Sequence, residues 1–165
     1  MKKLKALTVF SLLFLMVWPY AVSASNGAST TDKELFAEVG RVSVRVSVTL
    51  LPASQPCEAA ASWRWGAENT CPRSVVGAVE VKVSGGSIFV PLSAFGDLGN
   101  PRSARIESRK GKGRFAVVLA GGDAATSYTA TLEFRDNLLS ERLVRHGEFP
   151  DQSWENTLYK FNIGN

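Results

Sequence analysis

Ten residues constrain the fold more than any other part of this chain. Across residues 41–50, Val42, Val44, Val46, Val48 and Leu50 alternate without a break with Arg41, Ser43, Arg45, Ser47 and Thr49. A strict period of two puts every apolar side chain on one face of an extended strand and every polar one on the other. Such a strand must cover its valine face with another layer. The same pattern returns along the chain. Val79, Val81 and Val83 alternate with Glu80 and Lys82; Ala104 and Ile106 with Arg105, Glu107 and Arg109; Tyr128, Ala130, Leu132 and Phe134 with Thr129, Thr131, Glu133 and Arg135. Residues 115–120 are apolar throughout, which predicts a central strand covered on both faces. Residues 138–146 alternate less cleanly and suggest a bulge. Residues 154–161 place Thr157, Tyr159 and Phe161 on one side.

Turn residues separate these runs: Ser84-Gly85-Gly86-Ser87, Lys110-Gly111-Lys112-Gly113, Gly121-Gly122-Asp123 and Asp136-Asn137. No helical crossover of adequate length lies between strands, so a parallel sheet is excluded. The expected architecture is mainly all-β, an antiparallel sandwich or barrel of about eight strands. Two short helices are expected beside it. One lies in residues 56–66, where Pro56 precedes Glu58-Ala59-Ala60-Ala61 and Gly66 follows. The other covers residues 32–38, with Thr31 or Asp32 as cap and Gly40 as stop.

The N-terminus reads as an address. Lys2, Lys3 and Lys5 precede an uncharged apolar run, Pro19 breaks it, and Val22-Ser23-Ala24 supplies the small residues of a cleavage site. This is the order of a secretory signal over residues 1–24, and the run is short for a membrane span. No cysteine follows the site, so a lipid anchor is not expected. Residues 25–40 then form a mobile leader with the short helix, and residues 41–165 a single β-rich domain. A periplasmic or secreted location in a bacterial cell envelope follows, with no transmembrane segment after cleavage.

Cleavage also changes the charge. The whole chain carries 19 Lys and Arg against 15 Asp and Glu. Removal of the three leader lysines leaves 16 against 15, which takes away the charge argument for nucleic-acid binding. The remaining 141 residues bury enough surface for one domain without a dense disulfide framework. Cys57 and Cys71 are the only cysteines, and in an oxidising compartment they are expected to form one bridge. Its fifteen-residue loop would be worth about 3 kcal/mol.

Chemistry is sparse. With His146 as the only histidine, a histidine-rich zinc site is excluded, and no cofactor or metal is expected. Ser127, His146 and Asp123 hold the side-chain types of a hydrolytic triad, without any local motif to bring them together. Glu141, Glu148, Asp151 and Glu155 could serve as paired acids for glycan hydrolysis, although Arg142 and Arg145 balance them. Asp123 or Asp151 could ligate calcium, without the spacing of a calcium loop.

Two features suggest binding. Trp63-Arg64-Trp65 joins rigid aromatic area to a charged fork inside the bridged loop; the competing account has the indoles plugging the end of the sandwich. Residues 102–114 hold Arg102, Arg105, Arg109, Lys110, Lys112 and Arg114 against the single acid Glu107. Of these, Arg105, Arg109, Lys110 and Lys112 are the candidate contacts for an anionic envelope polymer, unless they only protect an exposed sheet edge. The preferred expectation is an exported, soluble, non-enzymatic binding protein: an inhibitor, accessory or assembly factor whose partner is a protein, a glycan or an anionic envelope ligand. A small hydrolase of glycans or esters is the first alternative, and a surface protein holding anionic polymers through the basic hairpin is the second.

Overall fold

The computed structural model describes residues 31–52, 65–66 and 72–162. Nine strands form two antiparallel sheets, each with its strands in chain order. β1 (Thr31–Val39), β2 (Val42–Leu50), β3 (Ser74–Val83) and β4 (Gly86–Ile88) make the first. β5 (Pro101–Ser108), β6 (Arg114–Gly121), β7 (Tyr128–Arg135), β8 (Leu138–His146) and β9 (Ser153–Leu158) make the second. The alternating valines act as their spacing requires. Val44 and Val46 of β2 and Val81 of β3 are fully buried against Val117 and Leu119 of β6, and Ala130 and Leu132 of β7, in one core between the sheets. Phe115 and Phe134, adjacent across β6 and β7, stack at 4.8 Å with their planes 6° apart.

Tight turns set the registers. Ser84 and Gly85 (φ 51° and 85°) join β3 to β4, and Asp136 and Asn137 (φ 51° and 61°) join β7 to β8. Both are two-residue loops with two successive left-handed residues, whose twist matches that of the flanking strands. The register of β3 shifts at Gly77, so Val76 and Val79 both reach the core. The bulge expected in β8 is present at Ser140, between pairs Glu133–Glu141 and Phe134–Leu139. It aligns Leu139, Arg142, Val144 and His146 with the buried face.

The sheets meet along two borders. β1 packs against β5. Beyond the ends of β4 and β9, Phe89 meets Phe161 edge-on at 6.2 Å. Between β4 and β5 the chain crosses from one sheet to the other through a 3-10 turn, Leu92–Ala94, and buries Ala94, Phe95 and Leu98.

The helix expected at residues 32–38 is instead strand β1. Its local composition favours a helix, yet Leu35 and Ala37 face the core while Glu34, Phe36 and Glu38 face out, and the strand pairs with β2 from Val39–Val42 back to Lys33–Val48. Pairing with a strand already committed to the core outweighs a weak helical propensity. The strand count is accordingly nine, and among the described residues there is no α-helix. The helix expected in residues 56–66 and the Cys57–Cys71 bridge fall largely or wholly outside the described residues. No helix among the described residues is long and apolar enough to cross a membrane.

Candidate functional site

At one end of the sandwich, polar and aromatic groups are turned inward. Trp65 is held by backbone bonds, its N–H to Asp97 O (3.3 Å) and its carbonyl from Gly99 N–H (2.9 Å). Its ring is half-buried against the core and stacks on Trp154 at 5.1 Å and 10°. Trp154 in turn meets the edge of His146 at 5.0 Å. This geometry matches the plugging role considered for the tryptophan loop; Trp63 and Arg64 lie outside the described residues.

His146 is buried, and its Nδ1 accepts backbone N–H groups from Glu148 (3.0 Å) and Phe149 (3.2 Å). In a hydrolytic triad that nitrogen donates to a carboxylate. Here it is occupied as an acceptor, and the ring braces the turn into β9. Ser127 lies one residue before Tyr128, the register partner of His146, but its buried hydroxyl has no hydrogen-bond partner among the described residues. Asp123 is exposed, binds Arg102 at 3.1 Å and caps the turn with Thr126. The three residues therefore form no relay. The four late acids do not come together as one group. Glu148 and Asp151 sit in the exposed β8–β9 turn, Glu155 contacts Arg142 and Thr157, and Glu141 faces the opposite side of β8. Among the described residues no three His, Cys, Asp or Glu side chains cluster as a metal site would require.

Sequence reasoning missed the burial of Arg142. It stands on the core face of β8 with only 3% of its side chain exposed. Its Nη2 donates to both carboxylate oxygens of Asp97 (2.7 and 2.9 Å), and its Nη1 to the Ser93 carbonyl (2.9 Å). Glu155 lies 3.5 Å from Nη1. The guanidinium thus ties the crossing segment to the second sheet. The one available signal was the broken alternation around it.

Close by, the Tyr128 ring is buried where Gly121 lets it approach the backbone; a Cβ at 121 would sit 2.5 Å from the hydroxyl and 2.7 Å from Asn100 O. Burial pushes the phenol pKa well above its ordinary value, and the Asp97 carboxylate adds to the shift.

The basic hairpin divides into two parts. Arg105 and Arg109 are compensated: Arg105 binds Glu107 (2.9 Å), and Arg109 binds Glu107 (2.7 Å) and Glu133 (2.8 Å). Hydrogen bonding from Arg109, then from Arg105, holds the Glu107 carboxyl below its ordinary pKa. Lys110, Lys112, Arg114 and Arg135 make no ion pair with any described residue, and all four are exposed. Arg109 N–H bonds Arg114 O, and Arg114 is the register partner of Arg135, so three arginines cross the outer face of the second sheet in one row. Beside this row is a groove of about 460 Å³ lined by Arg109, Lys110, Arg114, Arg135, Glu133 and Glu141, with Ser140 and Leu143. Arg135 enters the site only through the β6–β7 register, which residues 102–114 alone do not contain.

Comparison with protein-family models, curated proteins and solved structures finds no match for this chain.

Proposed function

We propose that this chain is an exported, non-enzymatic binding domain of a bacterial cell envelope whose contact surface is the basic end of the five-stranded sheet. One observation carries the reading: the row Arg109–Arg114–Arg135, with Lys110 and Lys112 beside it, borders a groove and retains four cations without acidic partners among the described residues. A row of that kind attracts a polyanion and releases the polymer's counter-ions on contact. Edge protection alone accounts for it less well. β6 and β7 are interior strands of their sheet, and Arg114 and Arg135 project from its face. The occupied Nδ1 of His146 speaks against the hydrolytic alternative only as far as it would use a triad built on that residue. The leader composition supports export, and in an oxidising compartment the two cysteines would join.

The test is salt-dependent retention on an immobilised sulfated or phosphorylated polymer. The wild-type protein is expected to elute at clearly higher salt than a Lys110→Ser, Lys112→Ser variant. Coincident elution of the two, or retention that ignores salt, would remove the basic end from the function.

A further inference from the structure

Arg114 and Arg135 stand directly opposite each other on β6 and β7, and opposed like charges disfavour the pairing that holds them there. One row further along the same face, Ala116 lies between Glu107 and Glu133. Glu133 is engaged by Arg109. Glu141, the register partner of Glu133, lines the same groove and makes no ion pair with a described residue. Rows two residues apart along a strand are separated by roughly 7 Å. Glu141 lies one row along and one strand across from Arg135, roughly 8–9 Å away at the backbone, and two strands across from Arg114. The groove thus presents two guanidinium groups without a counter-ion and, beyond Arg135, one carboxylate without a cation among the described residues.

A simple anion satisfies only half of this arrangement. A carboxylate can meet two guanidinium groups, as Glu107 does, but brings a single charge; a phosphoryl group brings three terminal oxygens and up to about two charges for two forks. Glu141 calls for a donor on the same ligand, a hydroxyl or an ammonium. We propose that this groove binds a polyol phosphate, with the phosphoryl group held between Arg114 and Arg135 and a ligand hydroxyl donating to Glu141. The proposal rests on the reading of the basic end as a binding surface, and it narrows that reading to one ligand chemistry. A free phosphate monoester and a polyol phosphodiester headgroup both pair a phosphoryl group with hydroxyls, the headgroup with one charge and two terminal oxygens in place of about two charges and three oxygens.

The experiment is calorimetric or NMR titration of the folded protein with glycerol 3-phosphate, inorganic phosphate and glycerol. Glycerol 3-phosphate is expected to bind saturably and about tenfold tighter than inorganic phosphate, the factor one charge-assisted hydrogen bond supplies, while glycerol does not bind. Arg114→Gln with Arg135→Gln should abolish binding of both phosphates. Glu141→Gln should bring glycerol 3-phosphate down to the affinity of inorganic phosphate and leave inorganic phosphate unchanged. That differential loss is not expected from general damage to the fold. Vesicles containing phosphatidylglycerol, against phosphatidylcholine alone, separate the sources: recruitment competed by glycerol 3-phosphate assigns a headgroup, and soluble binding without recruitment assigns a free ester. Indifference of phosphate binding to the double arginine variant, or equal effects of Glu141→Gln on both phosphates, overturns the proposal. Salt-dependent polymer retention that needs Lys110 and Lys112, with no saturable phosphate binding, would leave the broader reading standing and end this one.

Discussion

Arg142 and Arg114 sit two strands apart in the same sheet, and they show opposite solutions to placing a guanidinium on a β-strand. Arg142 faces inward from β8, where Asp97, Ser93 and Glu155 surround it. Arg114 faces outward from β6, where its cross-strand neighbour is another arginine. A buried charge persists only when the fold supplies its partners, so Arg142 is tied to the architecture. An exposed charge opposed by its like is tolerated because water screens it, and it remains available to a ligand. The contrast separates a cation that holds the fold from cations that the fold leaves accessible.

The strongest way to break this contrast is to remove the inward arginine. Arg142→Ala leaves Asp97 and the Ser93 carbonyl without their donor and is expected to cost about 3–5 kcal/mol, the usual loss when one member of a buried pair is deleted. Chemical denaturation of the variant and the wild type measures the difference. A loss below about 1 kcal/mol would mean that Arg142 does not lock the crossing segment. Arg142→Met, which keeps volume without charge, should recover part of the loss when Asp97→Asn is combined with it.

A smaller effect belongs to the tyrosine near that arginine. The Tyr128 hydroxyl is buried and has no hydrogen-bond partner among the described residues. Its pKa is raised in the folded state from an ordinary value of 10.0. The folded protein therefore holds this proton more tightly than the unfolded chain. The associated stability is fully present below pH 10 and is lost as pH climbs above it, at about 1.4 kcal/mol per unit until the folded group also titrates. Tyr128→Phe should remove this alkaline contribution. At neutral pH it should be neutral or slightly stabilising, because it deletes an unsatisfied polar group and keeps the ring. Unfolding free energies of both proteins between pH 8 and about 11.5 test this; parallel curves above pH 10 would contradict it.

How much of this was legible in the sequence follows from the range of the interactions involved. The paired sheets follow from valines at Val44, Val46 and Val81 and from the turn residues Ser84-Gly85 and Asp136-Asn137, all local signals. Residues 115–120 read as a doubly covered strand, and Ala116 and Val118 are buried on the outer face of β6, flanked by Glu107, Glu133 and Arg105. β1 was not legible, because the acids, lysine and alanine of residues 32–38 favour a short helix, the two-residue spacing of Leu35 and Ala37 is too short a run to outweigh them, and only the neighbouring β2 decides. Arg142 was not legible because a bulge at Ser140 shifts the face it occupies. The basic cluster was half legible. Its cations crowd residues 102–114, but the division into compensated Arg105 and Arg109 and uncompensated Arg114 depends on Glu133 and Arg135, some twenty residues later.

The smallest expected effect bears most directly on the outward arginine. If Arg114 and Arg135 face each other for the sake of a ligand, the free protein keeps a repulsion that a structural sequence would avoid. Arg114→Thr removes one charge and places a β-favouring residue in an interior strand opposite Arg135. Relief of a directly opposed like pair is worth roughly 0.2–1 kcal/mol, so the variant should be slightly more stable than the wild type at low salt. Added salt should narrow the gap, because screening weakens the repulsion in the wild type and leaves nothing comparable to screen in the variant. Saturating phosphate should reverse the order, since only the wild type retains both arms of the clamp and binding to the folded state raises its stability. Thermal unfolding at low salt, high salt and with phosphate supplies the three comparisons. A variant less stable than the wild type at low salt would mean that Arg114 contributes to the fold through its packing, and the division between the two arginines would no longer hold.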